Sequence, residues 1–370
     1  MDLVAALHAA AAEAGLAAVG VASAAPFPEV RRAIEGQVAA GRHAGLGLTF
    51  SRPDRSTVPR ASAPWAESLV VAAHAYLPGS GSPGPARPGT GRVARFATGD
   101  HYRPLRAGLA ALAGVLEGAG HRALVLCDDS RLVDRAAAVR AGVGWWGRSS
   151  MVLAPGHGPW LLLGSVVTDA ALPAGTPMAR DCGTCTACLP ACPTGALVAP
   201  GILDARRCLA ALAQSPGPIP REWRSAMGDR LYGCDDCLEA CPPGWSSLEG
   251  AGDRGGGRVG LLEILDLDDA ALLGRFGHFY LPRREARYLR RNALVALGNS
   301  GGEGAVESAR SYLAAPDALL RSHAAWALGV LGGPAARAAL EPARRREIDP
   351  AVAEEITFAL EGGRAGGRQR

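Results

Sequence analysis

An α/β domain, then a cysteine-rich insert, then a short array of helical pairs is the architecture this 370-residue chain predicts. Three observations predict it. Helical and strand-like periods alternate through residues 1–175. Two cysteine runs, Cys182 to Cys192 and Cys234 to Cys241, follow within residues 176–250. Within residues 258–362 the composition becomes helical and one short motif recurs.

The amino-terminal stretch Leu3 to Leu16 is apolar but interrupted by His8 and Glu13 and preceded by no basic segment. It reads as an amphipathic helix near residues 2–14, not as a secretory leader. Leu69 to Tyr76, Ala123 to Cys127 and Trp160 to Thr168 are apolar runs bounded by turn formers, which makes them strands with helices between. Pro78 to Gly91 is so rich in Gly, Pro and Ser that neither period survives, so it is an exposed loop. Gly142, Gly144 and Gly147 spell a dinucleotide fingerprint, but that loop must follow a strand and open a helix. Here the helical pattern Leu132 to Arg140 comes first and the apolar run Met151 to Ala154 after, so the glycines mark a close backbone turn and no nicotinamide site is expected. Cys127 ends a strand with no second cysteine in reach and reads as a small buried hydrophobe.

Cys182, Cys185, Cys188 and Cys192, with Pro193 next, have the spacing of a two-cluster bacterial ferredoxin, in which the fourth thiolate serves the other cluster. Cys234, Cys237, Cys241 and Pro242 echo it, with Leu231 where a full repeat would have another cysteine. Cys208, between the runs, is the natural substitute. This divides the thiolates into Cys182, Cys185, Cys188 and Cys241 for one 4Fe-4S cluster and Cys192, Cys208, Cys234 and Cys237 for the other. Zinc favours two separated pairs over three consecutive intervals ending in Cys-Pro. Disulfides belong to short secreted chains. The weak apolar periodicity of residues 176–250 also suits a region where metal cages replace a hydrophobic core.

A break at Gly250 to Gly257 precedes the helical part. There Asn292-Ala-Leu-Val-Ala-Leu-Gly298 recurs as His323-Ala-Ala-Trp-Ala-Leu-Gly329, and a fainter copy ends at Ala359 and Leu360. A period of about 30 residues indicates helical pairs that bury their apolar faces only by stacking, a HEAT-like solenoid. Hydrophobic residues make up 48%, much of it Ala, and no apolar run approaches the roughly 20 residues of a membrane helix. The expectation is a cytoplasmic protein that does not enter membranes. Net charge is +4, carried by Arg with no Lys in the chain, a slight bias towards anionic partners.

Two groups have double readings. Asp128, Asp129 and Asp134 follow the strand Ala123 to Cys127, where open sheets often place working groups and an acid could deliver a proton. Equally, Asp129 and Ser130 could cap the next helix, with Asp134 and Arg135 on its solvated face. Arg283, Arg284, Arg287, Arg290 and Arg291 fall at helical spacing and could meet phosphates together, although solvated charge is the commoner explanation.

Asp134 to Trp145, Cys182 to Pro193 with Thr194-Gly-Ala196, Asp204 to Cys208, and Gly228 to Cys237 together resemble the epoxyqueuosine reductases, nearly end to end. The resemblance implies an α/β cobalamin-binding domain, a ferredoxin-like two-cluster insert and carboxy-terminal HEAT-like repeats. It implies reduction of the epoxide on a tRNA wobble base, epoxyqueuosine, to queuosine. Electrons from an unidentified low-potential donor would pass through both clusters to cobalamin, and Asp128 would be the proton donor. It also implies cobalamin contacts at Arg55, Asp128, Val152, Leu163 and Asp235, and a monomer. The chain departs from the family at Arg95 to Arg103, at Gly147-Arg148 and at Pro242 to Trp245. A dehalogenase-like corrinoid reductase for a small molecule, or an electron-transfer module for a separate enzyme, are the rivals.

Overall fold

The computed structural model describes residues 2–79, 84–251 and 257–362. Parts of the expected loop 78–91 and break 250–257 therefore lie outside the described residues. The chain forms two compact units, each discontinuous in sequence: Met1–Gly79, Asp100–Arg206 and Asp236–Gly252 make the first, and Ser80–Gly99, Arg207–Asp235 and Asp253–Arg370 the second.

The first unit is built on four strands, β1 (Ala18–Ser23), β2 (Ser68–Ala75), β3 (Ala123–Cys127) and β4 (Leu161–Thr168), in the order β1-β2-β4-β3. All pairings are antiparallel, with Val21 opposite Val70, and both Val70 and Val125 opposite Val166. Three of these strands stand where the apolar runs placed them. β1 is short and rich in Ala and Gly, so its apolar pattern is faint. Helix–strand alternation in the sequence left strand direction open, and the pairing is antiparallel throughout.

Helices cover the sheet: α1 (Leu3–Glu13), α2 (Pro28–Ala39), α3 (Tyr102–Gly118) and α4 (Asp134–Arg140). Asp2 caps α1 by accepting the amide of Val4 at 3.0 Å. α3 packs on α1, β2, β3 and β4, and α4 on β1, β2 and β4. Leu69, Val71, Ala73 and Val167, of one alternation, share a core with Ala136, Ala137 and Ala138 of α4. Gly164 lets α3 close on β4, since a Cβ there would lie 2.5 Å from Leu109 Cδ1.

In the second unit, Thr90–Val93 pairs in parallel with Arg230–Tyr232 and antiparallel with Arg258–Gly260. The end of the expected loop is thus a strand. The helices that follow are α5 (Arg287–Ser300), α6 (Ala305–Ser311), α7 (Ala318–Leu331), α8 (Gly333–Arg346) and α9 (Pro350–Leu360). The recurring glycines explain the motif: a Cβ on Gly298 would sit 2.9 Å from Ala327 Cα, and one on Gly329 2.9 Å from Ala359 Cα. Alternate helices, α5 on α7 and α7 on α9, touch backbone to backbone there, so the period seen in sequence is a stacking period.

The first residues of the motif do something the sequence hid. Asn292 and His323 are fully buried. Asn292 Nδ2 donates to the carbonyl of Ala213 at 2.9 Å, and His323 Nε2 accepts from the amide of Ile219 at 3.2 Å. Burial, with Arg224 next, holds the His323 ring well below the ordinary histidine range, so the neutral form fits. Both grip the segment between Cys208 and Cys234. Arg291 joins them: its guanidinium is completely buried and donates to the carbonyls of Leu212, Ala213, Ser215 and Gly217. A phosphate-binding face shared by three or four of these arginines is therefore not formed. Arg290 pairs with Asp269, Arg287 with Glu285 and Asp317, and Arg284 caps the carbonyl of Gly277 at 2.8 Å. Arg283 and Arg284 also precede α5, so helical spacing does not extend to them.

Candidate functional site

Cys182, Cys185, Cys188 and Cys241 line one cavity of about 140 Å³ in the first unit, with Trp145, Leu153 and Pro242 as apolar wall. This is the set the spacing grouped for one cluster. Burial, then the thiols of Cys182, Cys188 and Cys185, push Cys241 up to about 12. Sulfurs so gathered ionise together only around multivalent cations, as iron supplies. Among the described residues no trio of His, Cys, Asp or Glu is disposed around a single metal ion, and all nine cysteines stand outside disulfides.

The backbone prepares these sulfurs. The Arg148 amide donates to Cys182 Sγ at 3.4 Å while its guanidinium holds the Gly183 carbonyl at 2.6 Å. At Cys192 burial raises the thiol, but Thr194, Leu197 and Ala196 outweigh it and the net shift is downward. The Ala196 amide lies 3.1 Å from that sulfur. Cys208 sits at the amino end of helix Leu209–Gln214, and Cys234 packs on the repeat core that includes Met227 and Trp326. The altered stretch Pro242 to Trp245 is fixed by Gly244, whose carbonyl accepts Trp160 Nε1 at 3.2 Å. Gly158 permits the approach, because a Cβ there would be 2.5 Å from Gly244 Cα.

The three-glycine segment is a turn, as expected. Gly142 has φ +71° and its Cβ would meet Thr176 O at 2.5 Å, while a Cβ on Gly144 would meet Leu153 O at 2.3 Å. It leads into a two-strand ribbon, Trp145–Trp146 with Val152–Leu153.

A second cavity, of about 560 Å³, opens in the same unit between α2, the loop Leu48 to Phe50 and the segment Asp128 to Arg135. Its wall is largely apolar, and Leu48 and Trp146 are 54% and 43% exposed, unusual for such residues. Four carboxyls line it: Glu29 on α2, then Asp128, Asp129 and Asp134. Asp128, just after β3, holds φ +53°, a left-handed conformation that a non-glycine residue adopts at a cost and that clusters at functional sites. It is open to the cavity, yet enclosure by protein is the first cause of its raised pKa, with Asp129 adding and Arg106 opposing. Asp129 is bound by Arg131 through Nε at 2.9 Å and Nη2 at 2.7 Å, which holds it below the usual carboxylate range. It caps no helix; it closes a turn on the Arg131 amide.

Of the two readings of Asp134, the one on a solvated face does not describe its Oδ1. Its Oδ1 is buried without a hydrogen-bond partner, and desolvation, then Asp128 and Asp129, raise it well above a normal carboxyl. Cys127, read as a small buried hydrophobe, is half-buried, and burial pushes its thiol up to about 12.

Of the other singled-out positions, Val152 is buried and Leu163 half-buried in the core beneath α4. Arg55 is exposed, donates to Ser62 Oγ at 3.1 Å, and lies close enough to Asp129 to favour its ionised form. Asp235 belongs to the second unit, where it is buried and accepts the Arg95 amide at 2.7 Å. Sequence reasoning missed α2, Leu48, Phe50 and Trp146, which only the fold gathers. The adjacent tryptophans after the glycine turn were the one available signal.

Four thiols around one cavity, a cavity with acids beside them and a stacked-helix array define an iron–sulfur oxidoreductase with repeats. Comparison with known families agrees: residues 181–244 match the 4Fe-4S double cluster binding domain and residues 280–361 match HEAT repeats. The chain is 32% identical over 360 residues to the epoxyqueuosine reductase of Bacillus cereus, covering 94% of each. It superposes with TM-score 0.88 and 31% identity on a crystal structure of epoxyqueuosine reductase with an epoxyqueuosine-modified tRNA-Tyr stem loop, covering 96% of this chain and 97% of that one. A structure from Bacillus subtilis whose aspartate-bearing catalytic loop is swung out of the active site gives TM-score 0.86 at 29% identity. The chain belongs to the epoxyqueuosine reductase family. Among the described residues no helix is long and apolar enough to cross a membrane.

Proposed function

We propose that this chain reduces epoxyqueuosine in the anticodon of tRNA to queuosine, acting as a monomer with two 4Fe-4S clusters and cobalamin. The observation that carries the reading is Asp128, a strained and protonation-prone acid on an apolar cavity, in the unit that also gathers four thiols. Cys182, Cys185, Cys188 and Cys241 would hold one cluster, and Cys192, Cys208, Cys234 and Cys237 the other.

The cavity fits part of a large, flat, mostly apolar ring system, as its exposed Leu48 and Trp146 indicate. Arg55, Val152, Leu163 and Asp235 would contribute to holding cobalamin, which when bound supplies a strongly reducing metal centre for carbon–oxygen cleavage. The work of the chain is positional and protonic. Apolar walls exclude water, Asp129 stays ionised on Arg131, and Asp128 keeps a proton to hand to the departing oxygen. Arginines would meet tRNA phosphates, so binding weakens as salt rises.

The test is anaerobic reconstitution with clusters, cobalamin, a low-potential reductant and epoxyqueuosine-bearing tRNA, read by nucleoside mass analysis. Queuosine appears with the wild-type chain and not with Asp128→Asn, which keeps its clusters and corrinoid. A fully loaded wild-type chain that makes none refutes the reading.

A further inference from the structure

We propose that Asp134 is a supporting acid of this site, storing one of the two protons the reduction consumes and passing it to Asp128 once Asp128 has released its own. The inference rests on Asp128 as donor. Converting an epoxide to an alkene breaks two carbon–oxygen bonds and takes up two electrons and two protons, and the oxygen leaves as water. The electrons come singly from a low-potential one-electron donor. The first proton turns the opened oxygen into a hydroxyl, and the second lets it depart. One carboxyl carries one proton, so Asp128 must be refilled within each turnover.

The acids available are few, and Glu29, the fourth on this cavity, stands 76% exposed on α2 against Arg32. Asp129 lines the same cavity but is tied to Arg131 at 2.7 Å and has already given up its proton. Asp134 lines it too, on the segment that bends at Asp128. A carboxylate whose task was to cap α4 would take the free amides of the first turn and be favoured there as an anion. Asp134 Oδ1 takes none; it is enclosed with no partner.

The surrounding charges agree with a stored proton. Asp128 and Asp129 both disfavour ionisation of Asp134, and Arg135, the cation opposing them, spends Nη1 on the Ser150 carbonyl at 3.1 Å. Tyr102 from α3 and Cys127 from β3 are within electrostatic reach and held protonated by burial. Arg106, also on α3, acts on Asp128 and Cys127. An uncompensated charge on Asp134 would be expensive in such company, whereas a neutral acid is at home.

Asp134→Asn keeps the shape and loses the proton. Infrared difference titration of the full-length holoenzyme without tRNA should show a carboxylic C=O band persisting at neutral pH, lost in Asp134→Asn and retained in Asp128→Asn. Single-turnover queuosine formation should fall about 100-fold in Asp134→Asn, the lower end of a general acid's contribution, with tRNA affinity unchanged. Its rate should then follow hydronium concentration, about tenfold per pH unit, where wild type is flat, and Asp134→Glu should recover part of it. Survival in Asp134→Asn of the band that Asp128→Asn retains, as distinct from the band of Asp128 itself, or a wild-type rate and pH profile in Asp134→Asn, overturns the proposal. Should Asp134→Asn not fold, a wild-type holoenzyme with no protonated carboxyl at neutral pH other than that of Asp128 overturns it equally. The infrared arm involves no tRNA, so it stands or falls apart from the substrate reading.

Discussion

Replacing Arg291 by Leu should damage one cluster and spare the other. The side chain is fully buried, and its guanidinium reaches the carbonyls of Ser215 at 2.8 Å, Leu212 at 3.0 Å and Ala213 at 3.3 Å, together with Gly217. Desolvation lowers its pKa from 12.5 to about 9, so burying the charge costs roughly 5 kcal/mol relative to water. That cost is met only because charge-assisted bonds to several carbonyls replace hydration, each contributing about 1.5–3 kcal/mol. Leucine removes the costly charge but strands the carbonyls at about 1–3 kcal/mol apiece. With partial relaxation the net loss should be about 3–5 kcal/mol, as when one side of a buried polar pair is removed. The strain falls on the segment just after Cys208. Denaturant unfolding should show the loss, and iron assay of anaerobically reconstituted protein should fall from about eight to about four atoms per chain. A variant with wild-type stability and full iron would refute the clamp.

Other substitutions probe the repeats and the first cluster. His323 has a folded pKa well below the 6.5 of the unfolded chain, so above that value neither state binds a proton and stability is flat. As pH falls through about 6.5 the unfolded state alone takes the proton, and stability should drop by up to about 1.4 kcal/mol per pH unit; His323→Asn, matching Asn292, should flatten that slope in denaturation at pH 7 and 5.5. Gly329→Ala gains up to about 1 kcal/mol of helix propensity but forces a Cβ to 2.9 Å from Ala359 Cα, an overpacking of about 1–3 kcal/mol, so melting should show a net loss. Cys241→Ala should remove one cluster's electron paramagnetic signal while leaving the other, and loss of both or neither would contradict the grouping.

Chemistry carried by close sequence neighbours was legible, and chemistry assembled across the fold was not. The cysteine runs were legible because their spacing is local, and Cys182, Cys185, Cys188 and Cys241 line one cavity. The repeat was legible because each copy solves the same packing problem with Gly298 or Gly329. Strand direction was not, since β2 and β4 pair over a long separation that no local pattern records. Arg291 misled for a related reason: a buried arginine is indistinguishable in sequence from a solvated one until the carbonyls of a distant loop surround it. Asp134 shows the same limit, a helix-opening acid by its neighbours and a carboxyl with Oδ1 buried and unpartnered by its surroundings. The apolar rim of Leu48 and Trp146 likewise exists only once α2 and the ribbon converge on one cavity.

The decisive measurement is metal analysis with Mössbauer spectroscopy on anaerobically prepared, full-length protein. About eight irons per chain in two 4Fe-4S environments is the expected result. Zinc in their place, or a single cluster, would contradict the account at its root, for without two relays no path remains for the electrons the epoxide must receive.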